Sequence, residues 1–467
     1  MRERDCIFFV LAHHKHYSDV LRSTGLIPRL AERYRIVVLT PHYDATRARE
    51  RALFQHPAVT YQKLLPRAPR WWRISERYLR TFFVRELDYL AGVRIYDYGR
   101  YVNHLGHRLL ATVGGLLPSR LLTAERMTRI ESWLIPPARE LRALISRHRP
   151  RLIVTATCGL EPLEAEAIIT GRRLGIPTLA VDLNLDYPHY QSKRSRRTDY
   201  VSVWNPTMQR EVEEYMHFPP ERVRVTGCLR FDHYFTDEAR GRLRSREAFL
   251  ESKGLDPKQK TILWAATSSF FKHQRQLMQE LLRARKSGEL PEESNLLVRL
   301  HPGGYWEPYR EFEGTPRVAI DFPGREPFYD PDRGDYTVEM DERDYANLTE
   351  TLRYADVVMG VSTTLMLEAA LFDKPSVAVG FPESMMDAYR SEPTCYFLSR
   401  GVMRLAKSPE ELIRNLARYL HRPELDQEAR LALARDYIPF TDGRTDERTV
   451  QWISEIAAHP PTHRHGS

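Results

Sequence analysis

Residues 356–381 read DVVMGVSTTLMLEAALFDKPSVAVGF. Val357, Val358 and Met359 form an apolar run that Gly360 stops, and a second run, Val377 to Val379, follows Pro375. Between them Ser362-Thr363-Thr364 opens an apolar helical stretch that closes near Asp373-Lys374. Strand, turn, helix, strand is the unit of a parallel sheet, and ligands of such sheets bind beyond the carboxyl ends of the strands. Hydroxyls at a helix N-terminus cap free backbone N–H groups or hold a phosphate beside them. Glu368, one turn after Thr364, shares that helix face.

The same unit recurs along the chain. Cys6 to Ala12 and Tyr34 to Leu39 read as buried strands around an amphipathic segment, Ser18 to Glu32. A helix is expected from Arg129 to Arg147, then strands at Leu152 to Ala156, Thr178 to Val181, Tyr200 to Val203 and Val223 to Thr226. The charged segment Thr236 to Lys260 offers no strand and reads as a linker, after which strands resume at Thr261 to Ala265 and Leu296 to Leu300. Gly303 to Asp341, rich in Pro, Gly and acids, reads as a long loop. The expectation is an α/β protein of two Rossmann-like, doubly wound domains: 1–235 with an insertion at 66–135, 236–440, a closing helix at 441–458 and a disordered tail at 459–467.

At 467 residues the chain exceeds what one core supports, and 42% hydrophobic with 28% charged residues is a globular composition. Its four cysteines are scattered without a CxxC pair, which argues against a zinc site or a disulfide framework. No run of ~18 apolar residues and no leader pattern is found, so a cytoplasmic protein, on the inner face of a membrane at most, is expected. The net charge of +8 favours an anionic partner, and no nucleic-acid-binding spacing is present. Within the insertion, Arg67, Arg70, Arg73 and Arg77 interleave with Trp71, Trp72 and Tyr78, a pattern that suits either contact with an anionic membrane or packing on the domain.

Several residues fall at expected strand ends. In the second half these are Thr267-Ser268-Ser269, Arg299 and His301, and the Ser362-Thr363-Thr364 turn with Glu368. In the first half they are His13 and His14, then Asp182, Asp186 and His189. The histidines near the N-terminus lack further ligands at metal spacing.

The ordered motifs resemble those of the GT-B glycosyltransferase superfamily, nearest to the CDP-glycerol glycerophosphotransferase and capsular polysaccharide transferase group. Val225-Thr226-Gly227 with Arg230-Phe231-Asp232 resembles the end of the first GT-B domain. His301-Pro302 is similar to a His-Pro motif of that group, and Ser362, Thr363, Glu368 and Ala369 to its donor-phosphate site. Asp442-Gly443-Arg444 with Glu447-Arg448 is similar to its C-terminal signature. One departure stands out: where the glycerophosphotransferases carry a Trp-His-Gly-Thr type motif, this chain has DLNLDYPH at 182–189.

The resemblance implies a transferase that takes a sugar from a CMP-, CDP-, UDP- or GDP-activated donor to a glycan or lipid-linked acceptor in surface polysaccharide synthesis. Glycerol phosphate transfer, sugar-nucleotide 2-epimerisation and a non-catalytic nucleotide- or glycan-binding module are the alternatives. In the transferase reading Arg299, His301, the 267–269 turn and the 362–364 turn hold the leaving phosphate, and Glu368 accepts a ribose or donor hydroxyl. Asp186 is the expected base, with His13, His14, Asp182 and His189 on the acceptor side. No cofactor or metal is expected, because helix-terminus phosphate binding replaces a divalent ion and no Asp-x-Asp is read at a strand end of the second half.

Overall fold

The computed structural model describes residues 4–12, 21, 24–41, 55–66, 116, 118, 124–134, 138–181, 184–185, 187–190, 197–267, 271–301, 306–324, 328–330, 335–337, 340, 342–361, 363–382, 386, 389 and 394–459. Contacts divide the chain into two units, residues 1–232 with 440–467, and residues 233–439.

The first unit holds seven parallel strands: β1 (Cys6–Val10), β2 (Arg35–Thr40), β3 (Val59–Lys63), β4 (Pro150–Thr155), β5 (Thr178–Ala180), β6 (Tyr200–Val203) and β7 (Val223–Val225), in the order β3-β2-β1-β4-β5-β6-β7. Every residue of β1 is buried, as a continuous apolar run in a doubly covered sheet requires. Alternate residues serve opposite faces. Ile7 and Phe9 join a core with Leu26, Ile27 and Leu30, and with Ile453 and Ile456 of the closing helix Thr445–Ala458. Cys6, Phe8 and Val10 join another with Leu141, Ile145 and Leu163.

The second unit holds a six-stranded parallel sheet of β8 (Thr261–Ala265), β9 (Asn295–Arg299), β10 (Val318–Asp321), β13 (Val357–Gly360), β14 (Ser376–Val379) and β15 (Met403–Ala406), in the order β10-β9-β8-β13-β14-β15. The strands β11 (Phe328–Asp330) and β12 (Asp335–Thr337) form a separate antiparallel hairpin. Ile262, Trp264, Val357 and Met359 pack with Leu277 and Leu281 of the helix Gln274–Lys286 and Leu412 and Leu416 of the helix Pro409–His421. Both units are doubly wound α/β sheets of Rossmann type.

The structure departs from the sequence reading in particular places. The segment 236–260 is two helices, Asp237–Gly241 and Arg246–Ser252, rather than a linker; Thr236 and Ser245 cap them by accepting from the N–H groups of Ala239 and Ala248. Its charges are engaged within the second unit, Arg244 with Glu350 at 2.6 Å and Arg246 with Asp356 at 3.2 Å. The single helix expected from Arg129 to Arg147 is two, Ala124–Leu134 and Arg139–His148, with Pro136 and Pro137 of the sequence falling between them. The long loop expected at 303–341 contains β10, the hairpin and the 3-10 turn Glu307–Phe312. The hairpin strand β11 also ends at Asp330 of an Asp330-Pro331-Asp332 sequence, so the second unit does carry an Asp-x-Asp at a strand end, contrary to the expectation.

Candidate functional site

In the second unit the strand order reverses between β8 and β13: β9 and β10 lie to one side, β14 and β15 to the other. Ligands of open α/β sheets bind at such a switch point, beyond the strand ends. Ala265 is paired in register with both Gly360 and Arg299, so three strand ends finish at one level. Thr267 follows there, buried, and Thr363 and Thr364 are half-buried at the start of the helix Leu365–Leu371.

Gly360 is required by close approach. A Cβ on it would lie 2.9 Å from Cγ2 of Thr363 and 3.1 Å from the carbonyl oxygen of Ala265. The turn therefore folds tightly back over the strand end. Thr363 Oγ1 accepts from the N–H of Leu365 at 3.3 Å, while the carbonyl of Thr364 starts the helix by accepting from the N–H of Glu368 at 3.0 Å. Ser268, Ser269 and Ser362 lie outside the described residues.

Arg299 is 3% exposed and its Nη1 donates to Asp321, its register partner on β10. Asp321 also receives Lys253 Nζ and Asn347 Nδ2, the latter at 2.9 Å. Burial alone would raise the Asp321 carboxyl, but the charges of Arg299 and Lys253 override it and hold it below its usual range. The expectation of Arg299 as a phosphate ligand reckoned without this carboxylate, because β10 was not read as a strand. His301 is half-buried two residues beyond β9. Glu368 is buried and accepts from the hydroxyl of Tyr234.

In the first unit the switch point falls between β1 and β4. Of the residues expected on the acceptor side, His13, His14, Asp182 and Asp186 lie outside the described residues, as does the side chain of His189; its backbone is part of the short helix Tyr187–Tyr190. The turn after β4 carries a carboxylate that sequence reasoning missed. Glu164 Oε1 accepts from the N–H groups of Ala156 at 3.0 Å and Thr157 at 3.1 Å, and its Oε2 pairs with the Thr157 hydroxyl. Burial pushes the Glu164 carboxyl up to about 8 despite those donors, and pushes the adjacent Cys158 thiol up to about 12. Glu164 lies three residues after Glu161 at a helix start, a spacing that signals a capping box.

The motifs at either end of the second unit have a structural task in the first. Asp232 accepts from the N–H groups of Thr445 and Asp446 at the start of the closing helix. Arg448 pairs with Asp442 at 2.8 Å and donates through Nε to the carbonyl of Thr226 at 2.7 Å. Gly227 has φ +105°, and a Cβ there would meet Thr445 Oγ1 at 2.8 Å. Val225-Thr226-Gly227, Arg230-Phe231-Asp232 and Asp442 to Arg448 thus form one clasp.

Residues 173–455, more than half of the chain, match the family described as CDP-Glycerol:Poly(glycerophosphate) glycerophosphotransferase. No curated protein matches the chain. Among solved structures it is similar to a putative UDP-N-acetylglucosamine 2-epimerase from Listeria monocytogenes, with 12% identity, a TM-score of 0.55, and 97% of this chain and 96% of that one covered. It is also similar to S. aureus MnaA solved with UDP, with 12% identity, a TM-score of 0.53 and 97% of each chain covered. A third is the wall teichoic acid polymerase TagF soaked with CDPG, with 10% identity, a TM-score of 0.50, and 97% and 89% covered. At such identities the likeness is one of fold, that of the two-domain GT-B architecture.

Proposed function

Because the chain belongs to the CDP-glycerol:poly(glycerophosphate) glycerophosphotransferase family, and is a transferase of GT-B type, we propose that it moves a sugar or polyol-phosphate group from a nucleotide-activated donor onto a cell-surface polymer or its lipid-linked precursor. The observation that carries this reading is the coincidence of the donor motifs with the switch point of the second unit. Thr267, Thr363, Thr364 and His301 follow strands whose ends share one level, and Glu368 is one turn further on.

In this reading the acceptor hydroxyl oxygen forms a bond to the donor's anomeric carbon or phosphorus as the bond to the nucleotide phosphate breaks. The acceptor proton passes to a base of the first unit, for which Asp186 is proposed, with His13, His14, Asp182 and His189 as acceptor-side groups. His301 donates to the leaving phosphate, and the 362–364 and 267–269 turns supply N–H and hydroxyl donors. Arg299, held by Asp321, contributes its field rather than a free fork. Family membership favours polyol phosphate as the transferred group; the DLNLDYPH sequence, in place of a Trp-His-Gly-Thr type motif, favours a sugar. We propose that no divalent ion is required, with Asp330-Pro331-Asp332 as the feature that would overturn this if EDTA abolished turnover.

The test is nucleotide release from CDP-glycerol and from CMP-, CDP-, UDP- and GDP-sugars, with and without polymer acceptor. Acceptor-dependent release that His301→Ala cuts by about 100-fold or more, without a matching loss of stability, supports transfer. Turnover of a UDP-sugar without acceptor would instead make the protein an epimerase, and binding without release a non-catalytic module.

The acceptor reading includes peripheral contact with an anionic membrane. Among the described residues no helix is long and apolar enough to cross a membrane. The described part of the 66–135 insertion includes the helix Ala124–Leu134. Its buried Met127, Thr128 and Glu131 leave Arg126, Arg129, Ile130 and Trp133 on one outward stripe, with Trp133 77% exposed. Indole and guanidinium side by side suit the headgroup layer.

A further inference from the structure

Tyr234 and Glu368 are 134 residues apart in sequence and meet in the second unit. Both are buried, at 4% and 5% exposure. The Tyr234 hydroxyl donates to Oε2 of Glu368, and its ring stands edge-on to Phe372 at 5.3 Å and 87°. Glu368 and Phe372 are four residues apart on adjoining turns, so the tyrosine is held at its hydroxyl and along its ring by one short stretch of chain. His233 packs beside it at 3.9 Å between centroids. Burial and the neighbouring Glu368 charge raise the phenol well above its usual value, so it remains an O–H donor at neutral pH.

Glu368 lies one turn beyond the Gly360–Thr364 turn of the candidate donor site, and a hydrogen bond from a ring packed against Phe372 fixes which way its carboxylate faces. We infer that Tyr234 is a positioning residue of the donor site: its hydroxyl fixes the Glu368 carboxylate in the orientation that receives a ribose hydroxyl of the nucleotide. This rests on the donor reading of the preceding subsection. Tyr234 does not touch the nucleotide; it acts through Glu368.

The test compares UDP and CDP with their 2′,3′-dideoxy forms by calorimetric titration of the full chain. The wild type is expected to bind the ribose forms about tenfold or more tightly than the dideoxy forms. Tyr234→Phe is expected to bind both with the dideoxy affinity, a cooperative thermal transition showing that it is folded. Glu368→Ala should lose the same preference. Should Tyr234→Phe fail to fold, Glu368→Asp draws the carboxylate one methylene away from the phenol and is expected to lose the preference as well. A wild type that binds no nucleotide overturns the donor reading itself. A wild type that binds without preferring ribose, or a preference that survives in Tyr234→Phe or Glu368→Asp, overturns the positioning role and leaves the donor reading standing.

Discussion

The carboxylate of Asp232 accepts a hydrogen bond from the backbone N–H of Thr445 at 2.9 Å, closing a span of 213 residues. It caps the helix Thr445–Ala458 from outside that helix, satisfying N–H groups that would otherwise lack partners. The closing helix supplies Ile453 and Ile456 to the first unit's core, so the cap fastens a core element to its own sheet.

Removal of that cap by Asp232→Ala is expected to cost about 1–2 kcal/mol in denaturant unfolding, whereas Asp232→Asn keeps an acceptor and costs less. Burial, with Asp446 nearby, raises the Asp232 carboxyl from 3.8 to about 6. A raised carboxyl contributes stability that is complete below the unfolded value and lost as pH rises through the folded one. Relative to Asp232→Asn, the wild type should therefore lose stability between about pH 4 and pH 6; a constant difference would contradict the assignment.

Asp321 balances Arg299 and Lys253 in a buried cluster. Asp321→Ala leaves the buried Arg299 and the half-buried Lys253 without their carboxylate and is expected to cost about 3–5 kcal/mol, more than Lys253→Ala, because Lys253 is the more exposed partner. Chemical denaturation of the two variants side by side checks the order.

Glu164 holds the turn after β4 with a carboxyl raised by burial from 4.5 to about 8. Its contribution is complete below 4.5 and is lost as pH rises from there through 8, so wild-type melting temperatures should fall between about pH 5 and pH 8 relative to Glu164→Gln, which stays neutral, and level off above that. Glu164→Ala leaves the N–H groups of Ala156 and Thr157 without their acceptor and should cost about 1–3 kcal/mol near pH 5, a difference that narrows as the wild-type carboxyl ionises.

Gly360→Ala places a methyl 2.9 Å from Thr363 and 3.1 Å from a backbone carbonyl. One of these contacts is with backbone that cannot swing aside, so a loss of about 1–3 kcal/mol is expected. Nucleotide affinity should fall further than stability, since the displaced turn is the proposed phosphate cradle.

Trp133→Ala combined with Arg126→Glu and Arg129→Glu should abolish co-sedimentation with vesicles containing phosphatidylglycerol and leave binding to neutral phosphatidylcholine vesicles at background. Wild-type protein that ignores both kinds of vesicle would sink the membrane reading while leaving the transferase proposal untouched.

The amino-acid sequence by itself determined the central strands and the fold class, because strands buried on both faces carry continuous apolar cores: IFFV in β1, ILWA in β8, LLV in β9 and VVM in β13. Helix starts are likewise local matters: the side chains of Asn205 and Ser408 accept from the N–H groups of Met208 and Glu411, three residues on in each case. Three edge strands escaped it. Val59–Lys63, Val318–Asp321 and Met403–Ala406 are only partly buried, and an edge needs less apolar surface than a centre. Tertiary structure alone put Asp321 opposite Arg299, Tyr234 against Glu368 and Asp232 at Thr445. These are pairings of polar groups distant in the chain, and a charge in sequence does not declare its partner; the partner is decided when strands take their order and bring the two groups out of water together.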